Sequence, residues 1–130
     1  MANLAREPMA DLPKPRFEDF DPSNFRMVYD KRHDTLFIRG AVPRPATSVD
    51  LDGEIWLRMD PLTGEILGFE IEDFVRVFLA RHPDIANAWR EAHGRHRPTR
   101  RQEESLVAII INWIRQFLAV HPQQPRLCAP

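Results

Sequence analysis

Between Met27 and Ile71, apolar and polar residues alternate along short runs joined by turn residues, and this pattern leaves little choice of fold. Alternation with a period of two is the mark of a strand with one face in a core. Met27 and Tyr29 share one face of a first strand, Met27–Asp30; Leu36 and Ile38 share one face of a second, Thr35–Arg39. Ile55, Leu57 and Met59 do so in Glu54–Asp60, and Leu67, Phe69 and Ile71 in Glu65–Ile71. Lys31-Arg32-His33 is short enough only for a hairpin, and in Asp60-Pro61-Leu62-Thr63-Gly64 proline suits the second turn position and glycine a positive φ. Short turns make the sheet antiparallel. Ser48–Leu51 can add a short edge strand.

Helical signals follow. Asp73 is placed to cap a first helix with the stripe Phe74, Val75, Phe78 and Leu79, which His82-Pro83 ends. Asp84 is placed to cap a second, carrying Ile85 and Trp89 and stopping at Gly94. Thr99 and Gln102 form a capping box for a third that runs to about Val120. Leu106, Ile110, Trp113, Phe117 and Val120 mark one stripe of this helix, and Val107, Ile111, Ile114 and Leu118 an adjoining one. So wide an apolar surface needs cover on two sides. The expected fold is α+β: a four- to five-stranded antiparallel sheet followed by three helices. Residues 1–23, polar and broken by proline, form an extended or mobile arm that Leu12, Phe17 and Phe20 can pin to the body. Residues 24–130 form one domain, with the sheet in 24–72, the helices in 73–120 and a tail in 121–130. Leu79-Ala80-Arg81-His82-Pro83 is echoed by Leu118-Ala119-Val120-His121-Pro122, which reads as two similar helix ends rather than a repeat.

The segment from Tyr29 to Phe74 resembles a family of short bacterial proteins known as domain of unknown function 2283, with the resemblance reaching over about 26–80. Tyr29-Asp30, Asp34-Thr35-Leu36-Phe37-Ile38 and Asp60-Pro61-Leu62-Thr63-Gly64-Glu65-Ile66-Leu67-Gly68-Phe69-Glu70-Ile71 carry it. It implies a small antiparallel sheet with a following helix, no catalytic residues, and an antitoxin or accessory binding role beside small toxin-like proteins. The arm and everything after about His82 lie outside it.

Charge and cysteine narrow the role further. Formal net charge is −1, which favours neither a nucleic-acid binder nor a membrane-surface protein. Residues 1–73 carry 9 Lys/Arg against 15 Asp/Glu, whereas residues 74–130 carry 9 Arg against 4 acids. An acidic sheet half and a basic helical half can attract one another within a chain or between two. Cys128 is the only cysteine, so a reducing compartment is expected. The first twenty residues hold no apolar run, and no stretch approaches membrane-spanning length; a cytoplasmic location is expected.

Four groups of residues are candidates for chemistry or binding. The acids Asp50, Asp52, Glu54, Asp60, Glu65, Glu70, Glu72 and Asp73 hint at a cation loop only in Asp50–Glu54. His93 and His96 have a metal-compatible spacing, but no cysteine or carboxylate completes a shell, and His33, His82 and His121 read as turn or helix-end residues. Cys128 has no base beside it. No metal, cofactor or catalytic residue is therefore assigned. Arg90, Arg95, Arg97, Arg100 and Arg101 crowd one interhelical loop and suit phosphates or an acidic partner. By strand parity, Val28, Phe37, Trp56 and Ile66, with Arg26, Arg39, Arg58 and Glu70, lie on the second face of the sheet. With Ile110, Trp113 and Phe117 of the last helix, Phe37 and Trp56 are the expected subunit interface of a homodimer. The sequence thus reads as a non-enzymatic protein-interaction module, antitoxin-like in role. A nucleic-acid-binding regulator using loop 90–101 is the alternative.

Overall fold

The computed structural model describes residues 12–51, 53–94, 97–120 and 126–127. Its centre is an antiparallel sheet of five strands: β1 (Phe25–Asp30), β2 (Thr35–Gly40), β3 (Thr47–Leu51), β4 (Ile55–Met59) and β5 (Ile66–Ile71). A two-residue strand β6 (Arg126–Leu127) extends it, and the spatial order is β1-β2-β5-β4-β3-β6. β5 therefore lies in the middle of the five. Three helices follow: α1 (Leu79–Arg81), α2 (Pro83–Ala92) and α3 (Arg100–Val120). α1 continues a wider π-type segment, Phe74–Phe78, in which the Phe78 N–H bonds the Asp73 carbonyl at 3.0 Å.

The hairpins form for local reasons. In the β1–β2 turn, the Asp30 carboxylate accepts from the N–H groups of Arg32 and His33. In the β4–β5 turn, Asp60 accepts from those of Leu62 and Thr63, and Gly64 takes φ +79. A Cβ on Gly64 would stand 2.3 Å from the Lys14 carbonyl oxygen, because the arm docks against this turn. There the Arg16 N–H bonds the Gly64 carbonyl at 2.9 Å.

One apolar core lies between the sheet and the helices. Leu36, Ile38, Leu57 and Phe69 from the sheet meet Phe74, Phe78, Trp89, Leu106, Ile110 and Ile114 from the helices. Parity breaks in β5. Ile66, expected on the second face, is buried in the core, and Leu67, expected in the core, is only half-buried. The cause is a bulge: Arg58 pairs with Gly68, but Met59 pairs with Ile66, so one register step is skipped.

Two helix starts also differ from expectation. Asp73 sits at φ +50 and its side chain makes no cap bond. The cap comes from Asp34 in the β1–β2 turn, which accepts from the Val75 and Arg76 N–H groups at 2.8 and 3.1 Å, while its carbonyl takes the Phe74 N–H. Val75, assigned to the buried stripe, is 43% exposed, because the π-type turn rotates the stripe onto Phe74 and Phe78. At α2 the N-cap position is His82 with Pro83 in the first turn, and Asp84 lies inside the helix. The capping box of α3 is as expected: the Gln102 N–H bonds Thr99 Oγ1 at 3.1 Å, and the Thr99 N–H bonds Gln102 Oε1 at 2.9 Å.

The wide apolar surface of α3 is covered only in part within the chain: Ile109 is 39% and Val120 73% exposed, and Trp113, Phe117 and Leu118 are half-buried. Leu106, Val107, Ile110, Ile111 and Ile114 enter the core. On the other flank, Phe17, Phe20 and Pro22 of the arm lie alongside Ala108, Ile109 and Ile111. Glu103, one helical turn into α3, is buried and accepts from the Met27 N–H at 3.1 Å, from Arg26 Nε at 3.0 Å and from Arg100. It thereby closes the free edge of β1.

Candidate interaction surface

All three helices pack on one side of the sheet, and the opposite side carries two in-register rows of side chains. The first row runs Val28, Phe37, Glu70, Trp56, Asp50. The second, two residues along each strand, runs Arg26, Arg39, Gly68, Arg58, Ser48. Phe37 and Trp56 are half-buried by their neighbours alone, and Val28 is 49% exposed. The bulge in β5 adds Leu67 to this face.

The long β2–β3 connection borders the face at one end. Arg44 pins it to the β4–β5 turn through Glu65 at 2.8 Å and Asp60 at 2.9 Å. Val42, Pro43 and Arg44 then wall a shallow recess of about 370 Å³ with Phe37, Arg39, Arg58 and Leu67. The Arg39 guanidinium lies 4.4 Å from the centre of the Phe37 ring. Among the described residues, neither Arg39 nor Arg58 meets a carboxylate, and Glu70 meets no cation. This face can bury aromatic surface and form charge-assisted bonds with an incoming partner.

The arginine loop divides. Arg100 points inward, donating to the carbonyls of Ser23 and Phe25 and to Glu103, and it pairs with Glu104 at 3.3 Å. It joins α3 to the start of β1 and is not displayed to a ligand. Arg90 bonds Asn87 on its own helix at 3.1 Å. Arg97 and Arg101 are exposed, and Arg95 lies outside the described residues, as do His96, His121, Cys128 and Asp52. Of the interface residues expected on α3, Ile110 is 0% exposed in the single chain, which leaves it no surface for a second subunit. Trp113 is half-buried against Phe78 and His82, and Phe117 stacks on Trp113 at 5.5 Å. Of the five, Phe37 and Trp56 share the helix-free face of the sheet, and Trp113 and Phe117 form a second half-buried pair on α3.

The acids have separate local roles: Asp60 holds a turn, Glu54 meets His82, Asp73 meets Arg76, and Glu70 stands on the open face. Asp50 takes the Gly53 N–H at 2.8 Å, which makes the Asp50–Glu54 stretch a hairpin turn. Among the described residues, no three His, Cys, Asp or Glu side chains converge in a way that could hold a metal ion, and His93 bonds the Trp89 carbonyl while stacking on its ring.

Two polar contacts escaped sequence reasoning. His82 Nε2 lies 3.2 Å from Glu54 Oε1, with its ring between Phe78 and Trp113, and so ties the β3–β4 turn to the α1–α2 junction. The Tyr29 hydroxyl donates to Asp34 at 2.7 Å. Burial first, then this bond and the nearby charges of Asp34 and Asp30, push the Tyr29 pKa up to about 12. Burial alone would raise the Asp34 carboxyl, but the bonds from Tyr29, Val75 and Arg76 and the Arg76 charge outweigh it and hold it below the ordinary value. At Glu103, burial is likewise outweighed by the Met27 N–H, Arg100 and Arg26.

Comparisons with protein families, with curated proteins and with solved structures give no match. No helix among the described residues is long and apolar enough to cross a membrane.

Proposed function

We propose that this chain is a non-enzymatic protein-interaction module that binds through the helix-free face of its sheet. One observation carries the reading: Phe37, Trp56 and Leu67 lie on an uncovered face beside Arg39, Arg58 and Glu70, charges with no counter-charge among the described residues. Large aromatics and arginine are the side chains that anchor protein interfaces. The resemblance of residues about 26–80 to the domain of unknown function 2283 family, proposed on the hairpin residues alone, adds an antitoxin-like or accessory role.

The experiment is affinity capture from the cells that make the protein, with mass identification, comparing the unaltered chain with Trp56→Ser and Phe37→Ser. The reading expects a protein held at physiological salt by the unaltered chain and released by both variants. Capture that ignores both substitutions, or neither a captured protein nor self-association of the chain, contradicts it. Capture of nucleic acid that falls steeply with salt and is lost in Arg97→Ala/Arg101→Ala would instead support a regulator acting through loop 90–101.

A further inference from the structure

Resting on that reading, we infer that the partner seated on the open face is a second copy of this chain, related by a two-fold axis that lies between the sheets and crosses their strands. The argument is the order of charges in the two rows. On the central strand β5, Glu70 stands in the first row and Gly68 in the second. On the strands either side of β5, the second row holds Arg39 and Arg58. A two-fold axis running midway between the rows places the first row of each copy over the second row of the other. Glu70 then comes over the partner's Gly68, the one position of that row with no side chain of its own, flanked by the partner's Arg39 and Arg58. The same operation lays Phe37 over the partner's Arg39 and Trp56 over the partner's Arg58, both cation–π pairings.

Each contact occurs twice, as an isologous interface requires. The charges without a counter-charge in the single chain all find one. Other axes do worse: one along the strands brings Glu70 over Glu70 at the centre, where like charges repel. The face also suits stacking of single-stranded bases through Phe37 and Trp56, but Glu70 and Asp50 stand in the same row as those rings and would repel phosphates. Five strands spaced about 4.8 Å apart and five residues of about 3.3 Å rise give a footprint of roughly 24 by 17 Å. That is a small interface, so association is measured up to about 200 µM.

The test is sedimentation of the full chain, of Glu70→Arg, and of Arg39→Glu/Arg58→Glu, each alone and the two variants mixed. All three substituted positions are off the core, and far-ultraviolet circular dichroism checks each fold. Trp56→Ala serves as a second, charge-neutral probe. The inference expects an unaltered dimer, a monomer for each charge variant and for Trp56→Ala, and a heterodimer when the two charge variants are mixed. Three outcomes overturn it: an unaltered monomer throughout the range, dimers that survive every substitution, or charge variants that fail to pair when mixed. A monomer that still captures a different protein through Trp56 overturns the self-association and leaves the interaction reading standing. A monomer without such capture overturns both.

Discussion

Replacing Asp34 with alanine removes a cap whose helix begins forty residues later in the chain. The carboxylate accepts from the Val75 N–H at 2.8 Å, the Arg76 N–H at 3.1 Å and the Tyr29 hydroxyl at 2.7 Å. Loss of a helix N-cap costs about 1 kcal/mol. The tilted Tyr29 hydroxyl, left among Phe74 and Trp89, loses its acceptor at about 1–2 kcal/mol. The backbone at Asp34 stands at φ +52, which alanine tolerates worse than aspartate by about 1 kcal/mol. The Arg76 ion pair, at 3.8 Å and mostly in water, adds almost nothing. The sum is about 3–4 kcal/mol, a large part of the roughly 5–15 kcal/mol typical of a domain. Urea unfolding followed by tryptophan fluorescence reads it directly. Asp34→Asn, which keeps an acceptor and tolerates the left-handed backbone, should lose about 1 kcal/mol. In a double-mutant cycle, Tyr29→Phe should recover about 1 kcal/mol of the Asp34→Ala loss, since no hydroxyl is then stranded. A loss below about 1 kcal/mol, or strict additivity with Tyr29→Phe, refutes the long-range cap.

Tyr29 is the only tyrosine, so absorbance near alkaline pH isolates it; it should ionise near 12, and Asp34→Asn should lower that value. Because its folded pKa is raised, the stability that neutral Tyr29 contributes is complete below pH 10 and falls away between 10 and about 12. Asp34 and Glu103 have the opposite sign: their lowered folded values mean stability that is complete above the ordinary carboxyl range and lost as pH falls through the folded values. The urea midpoint of Glu103→Gln should therefore depend less on acid pH than that of the unaltered chain. Arg100→Ala should cost about 1–3 kcal/mol in urea unfolding because it strips donors from Glu103 and two carbonyls, while Arg101→Ala stays within about 0.5 kcal/mol. Gly64→Ala should cost about 2–4 kcal/mol by the same measurement and speed proteolysis of the arm, since its Cβ meets the Lys14 carbonyl and its φ is positive.

Much of the fold was legible because its signals are local. Asp60 and Gly64 are turn residues whatever surrounds them, and Thr99 and Gln102 bond each other across a single helical turn. The misreadings came from contacts between distant segments. Asp73 has the right chemistry to cap, but Asp34 occupies the donors first, and nothing near residue 73 announces that. The bulge that exchanges Ile66 and Leu67 is a property of pairing with Arg58 and Met59, invisible in strand 66–71 alone. Arg100 looked like one more cation in a basic loop until Ser23 and Phe25 supplied its acceptors. The open face was half legible: parity named Phe37 and Trp56, but not Leu67, which joins them only through the bulge in β5.

Hydroxyl-radical footprinting of Phe37 and Trp56, in extract from the producing cells and in dilute purified protein, tests the interaction face most directly. The account predicts that both rings oxidise readily when dilute and are protected in extract, while Leu62, exposed on the β4–β5 turn, oxidises alike in both. Equal oxidation of Phe37 and Trp56 under the two conditions would contradict it.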